Sequence, residues 1–214
     1  MVNEKVYKEI VSFTKSKNAT LVAVSKIKPA ADIQQMYKLG QRDFGENYVQ
    51  ELVEKQALLP KDILWHFIGH LQSNKVKYIA PFVHLIQSVD SEKLLKEIDK
   101  QAAKNNKKIN VLLQIHIAEE QTKFGFDEEE LMKLDVDLFP NVNIMGLMGM
   151  ATFTDDKEKV KREFDLLKSF YNNFKGAKNV ELNTLSMGMS DDYELAVNCG
   201  SNMIRIGSLL FGRR

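Results

Sequence analysis

Thr20-Leu21-Val22-Ala23-Val24-Ser25-Lys26 is an apolar run that ends on a lysine and breaks at Lys28-Pro29, after which residues 30–39 take up a helical period. A strand-length run followed by an amphipathic helix is one β/α unit, and the rest of the chain repeats it. Strands are predicted at 21–26, 43–47, 66–71, 85–89, 110–118, 145–151, 184–189 and 203–209. Helices are predicted between them at 30–39, 48–58, 74–79, 92–104, 128–134, 157–174 and 192–198, with one more ahead of the first strand at 4–16. Parallel strands need crossover connections, and eight βα units fit a closed sheet better than an open one. The expectation is a TIM (β/α)8 barrel with an extra N-terminal helix. The chain stops soon after strand eight, leaving no room for a helix behind it, and the N-terminal helix is expected to cover that gap. Helix punctuation fits this register: Ser91 and Ser190-Asp191-Asp192 stand at predicted helix starts, Gly40 and Gly200 at helix ends.

Size and charge narrow the classes of function. A chain of 214 residues with 44% hydrophobic residues supports one substantial core, so residues 1–214 are expected to form one domain. Thirty Lys plus Arg against 29 Asp plus Glu leave a net charge of +1, which recommends neither nucleic acid nor an anionic membrane as partner. The single cysteine, Cys199, has no partner for an internal disulfide and reads as a packed thiol. The N-terminus opens into a polar helix rather than a secretory stretch, and no apolar run approaches the ~20 residues of a membrane-spanning helix. A cytoplasmic monomer is the expectation.

Barrel enzymes carry their sites at the C-terminal ends of the strands, with phosphate sites recurring in the loops after strands seven and eight. Strand alternation puts Lys26 on the face of Val22 and Val24, at the rim of a buried surface. A lysine there is either a strand-end residue reaching to water or a desolvated amine able to condense with a carbonyl. Strand two adds Asn47, strand seven Ser190, and strand eight Arg205 with Gly207-Ser208. Ser186, Gly188 and Ser190 share the inward parity, as do Arg205 and Gly207. An inward arginine needs a partner, because burying an unpaired guanidinium is expensive. Gly207-Ser208 is either an ordinary turn or a phosphate contact, and Ser190 either a helix cap or a second one. His66 and His70 read as satisfied core or rim histidines, and the scatter of His84 and His116 without an acidic ligand pattern gives no metal site. Lys123, following strand five, is the rival lysine.

Five blocks taken together resemble one family. They are Ala23-Val24-Ser25-Lys26, Phe44-Gly45-Glu46-Asn47-Tyr48-Val49-Gln50-Glu51, Trp65-His66-Phe67-Ile68-Gly69-His70-Leu71-Gln72-Ser73-Asn74-Lys75, Leu185-Ser186-Met187-Gly188-Met189-Ser190-Asp191-Asp192 and Ile204-Arg205-Ile206-Gly207-Ser208. In this order they are similar to the YggS/PROSC family of pyridoxal phosphate homeostasis proteins, whose fold resembles the barrel domain of alanine racemase. The resemblance implies that Lys26 holds pyridoxal 5′-phosphate (PLP) as a Schiff base and that Asn47 lies beside the ring. It also implies that Ser190, Gly207 and Ser208 bind the phosphate and that Arg205 faces the pyridine nitrogen.

Two functions of different kind share these residues. One is a carrier that holds PLP reversibly, with apo-PLP-enzymes as partners and no catalytic residue of its own. The other is a PLP-dependent racemase or decarboxylase, and racemisation requires acid-base groups on both faces of the substrate Cα. An arginine against the pyridine nitrogen disfavours its protonation and weakens the ring as an electron sink, which favours the carrier. A barrel enzyme that binds phosphate without PLP would keep the anion site and give Lys26 no covalent role.

Overall fold

The computed structural model describes residues 2–118, 124–178 and 180–212, so Lys123 lies outside the described residues. After α1 (Glu4–Ser16), eight strands alternate with helices: β1 (Thr20–Val24), α2 (Ala30–Lys38), β2 (Asp43–Glu46), α3 (Val49–Leu58), β3 (Leu64–Phe67), α4 (Val76–Ile79), β4 (Leu85–Val89), α5 (Glu92–Lys104) and β5 (Ile109–Gln114). The order continues with α6 (Glu128–Lys133), β6 (Val142–Met148), α7 (Lys157–Lys178), β7 (Thr184–Ser186), α8 (Tyr193–Asn198), β8 (Met203–Ile206) and α9 (Ser208–Phe211). All neighbouring strands are parallel, and β1 pairs with β8 from Thr20↔Met203 to Ala23↔Ile206, closing the barrel.

Strand alternation divides the apolar residues into two layers. Val22, Leu85, Leu112, Met148 and Met203 fill the barrel interior. The opposite parity, with Ala23, Phe44, Trp65, Phe67, Ile86 and Ile204, packs against the helices in the larger core. The backbones of β6 and β7 come close at Gly146, where a Cβ would lie 1.6 Å from the Thr184 carbonyl oxygen.

Several strands end earlier than the sequence reading has them: β1 at Val24, which leaves Lys26 beyond the strand, β5 at Gln114, β6 at Met148, β7 at Ser186 and β8 at Ile206. Strand three runs over Leu64–Phe67 rather than 66–71, since the chain turns away at Gly69, where a Cβ would meet the Asn47 carbonyl oxygen at 2.2 Å. One helical turn, α9, follows strand eight where no helix was expected; it packs on α1, and Asn3 N–H donates to the Leu210 carbonyl at 2.8 Å. Ser190 does not cap α8: Asp192 stands at the N-cap, and its carboxylate accepts from Met189 N–H at 2.6 Å. Among the described residues no helix is long and apolar enough to cross a membrane.

Charge enters the outer layer where α3 meets β2. Glu46 shares the parity of Phe44 and is fully buried, and Lys55 Nζ lies 2.7 Å from Glu46 Oε1 and 2.6 Å from Glu51 Oε1. Burial pushes the Glu46 carboxyl up to about 7, against the pull of Lys55 and of the Ser25 hydroxyl. A carboxyl whose pKa is higher folded than unfolded stabilises the fold most when protonated. That contribution is complete below the ordinary carboxylate range near 4.5 and is lost as pH rises through about 7. Urea denaturation across this window is expected to show the wild type losing stability relative to Glu46→Gln as pH rises, with the difference constant above it.

Candidate functional site

Arg205 sits in β8 opposite Val22 and projects into the barrel, 4% exposed. Its guanidinium donates to Ser186 Oγ at 2.5 Å and to the Gly149 carbonyl at 3.0 Å. Ser186 in turn donates to Gln87 Oε1 at 2.7 Å, and Gln87 Nε2 meets His66 Nδ1 at 2.9 Å. His66 Nε2 completes the line on Asp43 Oδ1 at 3.0 Å. Each hydrogen bond here has a fixed sense. Arg205 only donates, so Ser186 gives its own proton to the Gln87 oxygen; the Gln87 nitrogen therefore donates to His66 Nδ1, and His66 carries its proton on Nε2, facing the Asp43 carboxylate. The chain runs through the barrel interior to the start of β2, and its Ser186 end, with the Gly149 carbonyl, accepts from the guanidinium. Burial lowers Arg205 to about 10, partly opposed by Asp192, so it remains a cation at neutral pH.

The residues singled out in the sequence lie on four contiguous strand exits, β7, β8, β1 and β2. Ser190 follows β7, joined to β8 through the Gly188 carbonyl, which accepts from Arg205 N–H at 3.0 Å. Gly207 and Ser208 open α9 directly after β8; Gly207 faces β1, where a Cβ would come within 3.3 Å of the Val24 carbonyl oxygen. The Leu210 and Phe211 N–H groups donate to the Gly207 carbonyl at 3.1 and 2.9 Å, which leaves those of Ser208 and Leu209 without an intrahelical acceptor. Asn47 follows β2, whose Gly45 carbonyl accepts from Ser25 N–H at 2.9 Å. The Asn47 Oδ1 atom is buried with no hydrogen-bond donor.

Lys26 is half-buried two residues past β1, within a turn that Lys28 N–H closes on the Ser25 carbonyl at 3.0 Å. The next residue, Ile27, has φ 62°. The other described non-glycine residues with positive φ, Asn18 and Asn106, have side chains that tolerate this region, whereas a β-branched one is strained by about 1–3 kcal/mol.

Sequence reasoning missed the interior chain, Glu46 with Lys55, and the strain at Ile27. Inward parity at Ser186 and Arg205 was visible, but the polar partners lie on β3 and β4. The outward carboxylate of Glu46, two positions from Phe44, was a readable signal of a buried pair. His66 is a satisfied core histidine as expected. His70 lies beyond the strand, with its ring stacked on Phe124 at 3.9 Å and Nδ1 3.0 Å from Asp90 Oδ2.

The family model for the alanine racemase N-terminal domain matches residues 5–214. A pyridoxal phosphate homeostasis protein of Pasteurella multocida is 42% identical over 200 residues, spanning 91% of this chain and 86% of the relative. PipY of Synechococcus elongatus, solved without PLP and with PLP bound, superposes with TM-scores of 0.90 and 0.87 at 35% and 36% identity, covering 95% of this chain and 99% of PipY. Alanine racemase of Bartonella henselae, at 16% identity and a TM-score of 0.70, shares the fold over 92% of this chain and 55% of its own. From these matches, the chain belongs to the alanine racemase N-terminal domain family and, within it, to the pyridoxal phosphate homeostasis proteins.

Proposed function

We propose that this protein is a reversible carrier of PLP, held at the barrel mouth through Lys26 and without turnover of its own. The observation that carries this reading is the gathering of Lys26, Asn47, Ser190 and Gly207-Ser208 on four contiguous strand exits around the interior Arg205. The PLP-bound PipY, which shares the barrel over nearly its whole length, supports the choice of ligand.

The donor set suits this ligand. Asn47 Oδ1, buried without a donor, is matched by the ring hydroxyl. Ser190, Ser208 and the opening N–H groups of α9 are donors for phosphate oxygens, and Gly207 lets the backbone approach closely. Arg205 presents a cation rather than a carboxylate to the pyridine nitrogen, so nothing there favours protonating the ring. When bound, PLP supplies a reactive aldehyde. Lys26 would hold that aldehyde through its amine in a linkage that forms with release of water and is undone by hydrolysis, which is what a carrier needs. We infer that the cytoplasm is its compartment, that apo-PLP-enzymes are the recipients and that it works as a monomer.

Racemisation would require a second acid-base group opposite Lys26. Tyr193 donates its hydroxyl to Glu194 at 3.1 Å, and Tyr48 is 52% exposed, so neither is a buried hydroxyl held for that task.

Ser208→Ala, Ser190→Ala and Gly207→Val are expected to weaken PLP more than pyridoxal in titrations of the visible absorption. Each lost charge-assisted hydrogen bond should cost about 1.5–3 kcal/mol for the phosphate ester alone. Equal losses for both vitamers would place the phosphate elsewhere. The PLP-loaded protein is further expected to show no Cα proton exchange in heavy water, no racemisation and no carbon dioxide release from common amino acids above free PLP. Rapid, Lys26-dependent turnover on any amino acid would make it an enzyme.

A further inference from the structure

Both neighbours of Lys26 are tied to α3 on the helix side of the barrel. Lys55 Nζ donates to the Ser25 carbonyl at 2.7 Å, the same oxygen that closes the turn, and Ser25 Oγ donates to Glu46 Oε1 at 2.6 Å. On the other flank, Ile27 N–H donates to Glu51 Oε1 at 2.6 Å. Lys55 joins the two flanks by pairing with both carboxylates, and it is 6% exposed, so its bonds to the Ser25 carbonyl and Glu46 are shielded from water while the Ile27–Glu51 bond lies at the surface. A strained backbone persists only where its surroundings over-determine it. Here the strained residue is Ile27, directly after Lys26, and the groups that fix it converge on one ammonium.

We propose that Lys55, with Glu46 and Glu51, is a positioning group for Lys26: it holds the left-handed turn at Ile27 and so aims the Lys26 amine at the barrel mouth. The inference rests on Lys26 being the residue that attaches PLP. Lys55 lies on the helix side of β1 and β2 and acts through the backbone of Ser25 and Ile27. Covalent attachment demands a fixed amine, whereas binding through the phosphate donors on α9 and at Ser190 does not. Loosening the latch therefore penalises PLP and spares pyridoxamine 5′-phosphate, which keeps the phosphate and lacks the aldehyde.

The test compares PLP with pyridoxamine 5′-phosphate on the full-length chain, by visible absorption, borohydride fixation and calorimetry. Lys55→Met is expected to weaken PLP about tenfold, 1.4 kcal/mol, with pyridoxamine 5′-phosphate within about twofold of wild type. Glu51→Ala, which removes the acceptor of Ile27 N–H from a less buried position, is expected to move the ratio the same way by a smaller factor, and it carries the test if Lys55→Met does not fold. Adding Ile27→Gly to Lys55→Met should recover part of the loss, because glycine adopts positive φ without strain. An unchanged ratio in Lys55→Met and Glu51→Ala, or equal losses for both ligands, would overturn the latch. Lys26→Ala separates the two ideas: with fixation abolished there, an unchanged ratio counts against the latch alone. With fixation retained, the attachment reading fails and the latch falls with it.

Discussion

A guanidinium buried inside the barrel is the constraint on which the rest of the site depends. Arg205 is too costly to bury alone, and the interior answers with Ser186, Gln87, His66 and Asp43 in one directed chain, plus the Gly149 carbonyl. Five strands are committed by it: β2, β3, β4, β7 and β8. That commitment fixes which residues of each strand face inward, and with it which side chains emerge at the exits. Because β8 also pairs with β1, the anchored arginine sets the spacing between the Lys26 turn and the opening of α9. Fold and site are therefore specified by the same closure.

The alternation of apolar runs and amphipathic helices made the barrel legible, because period is a local property. α1 and α5 have the predicted limits, while β3 was placed two residues late because Ile68 and Leu71 extend the apolar run past the true strand. Long-range pairing was less legible. Gln87 and Ser186 are 99 residues apart, and parity within a single strand does not say which polar group will face another across the interior. The left-handed Ile27 was hidden because its residue type argues against that conformation, and the contacts that hold its turn come from α3 and α9, far away in sequence. Of the candidate site, Lys26, Asn47, Ser190, Arg205, Gly207 and Ser208 were reachable from alternation and rim position. Their supports on α3 and in the barrel interior were not.

The arrangement fits holding a reactive aldehyde better than transforming an amino acid. The group that the proposed site offers a pyridine nitrogen is a cation rather than a carboxylate, and Arg205 stays charged at neutral pH although burial lowers it to about 10. Lys26 lies in a turn clamped from α3, while Lys28, the last residue of that turn, donates to the carbonyls of Phe211 and Gly212 at 2.9 and 3.2 Å. The turn is thus tied to both α3 and α9. Preorganisation of this kind lowers the entropic cost of capture without adding an acid-base group for turnover.

The central claim is that PLP attaches to the lysine carried by this clamped turn. Its most direct test is borohydride reduction of the PLP-loaded protein followed by proteolysis and mass spectrometry of every lysine-containing peptide. The account predicts one predominant phosphopyridoxyl group, on Lys26. Labelling of Lys123, Lys28 or another lysine with Lys26 unmodified would contradict it.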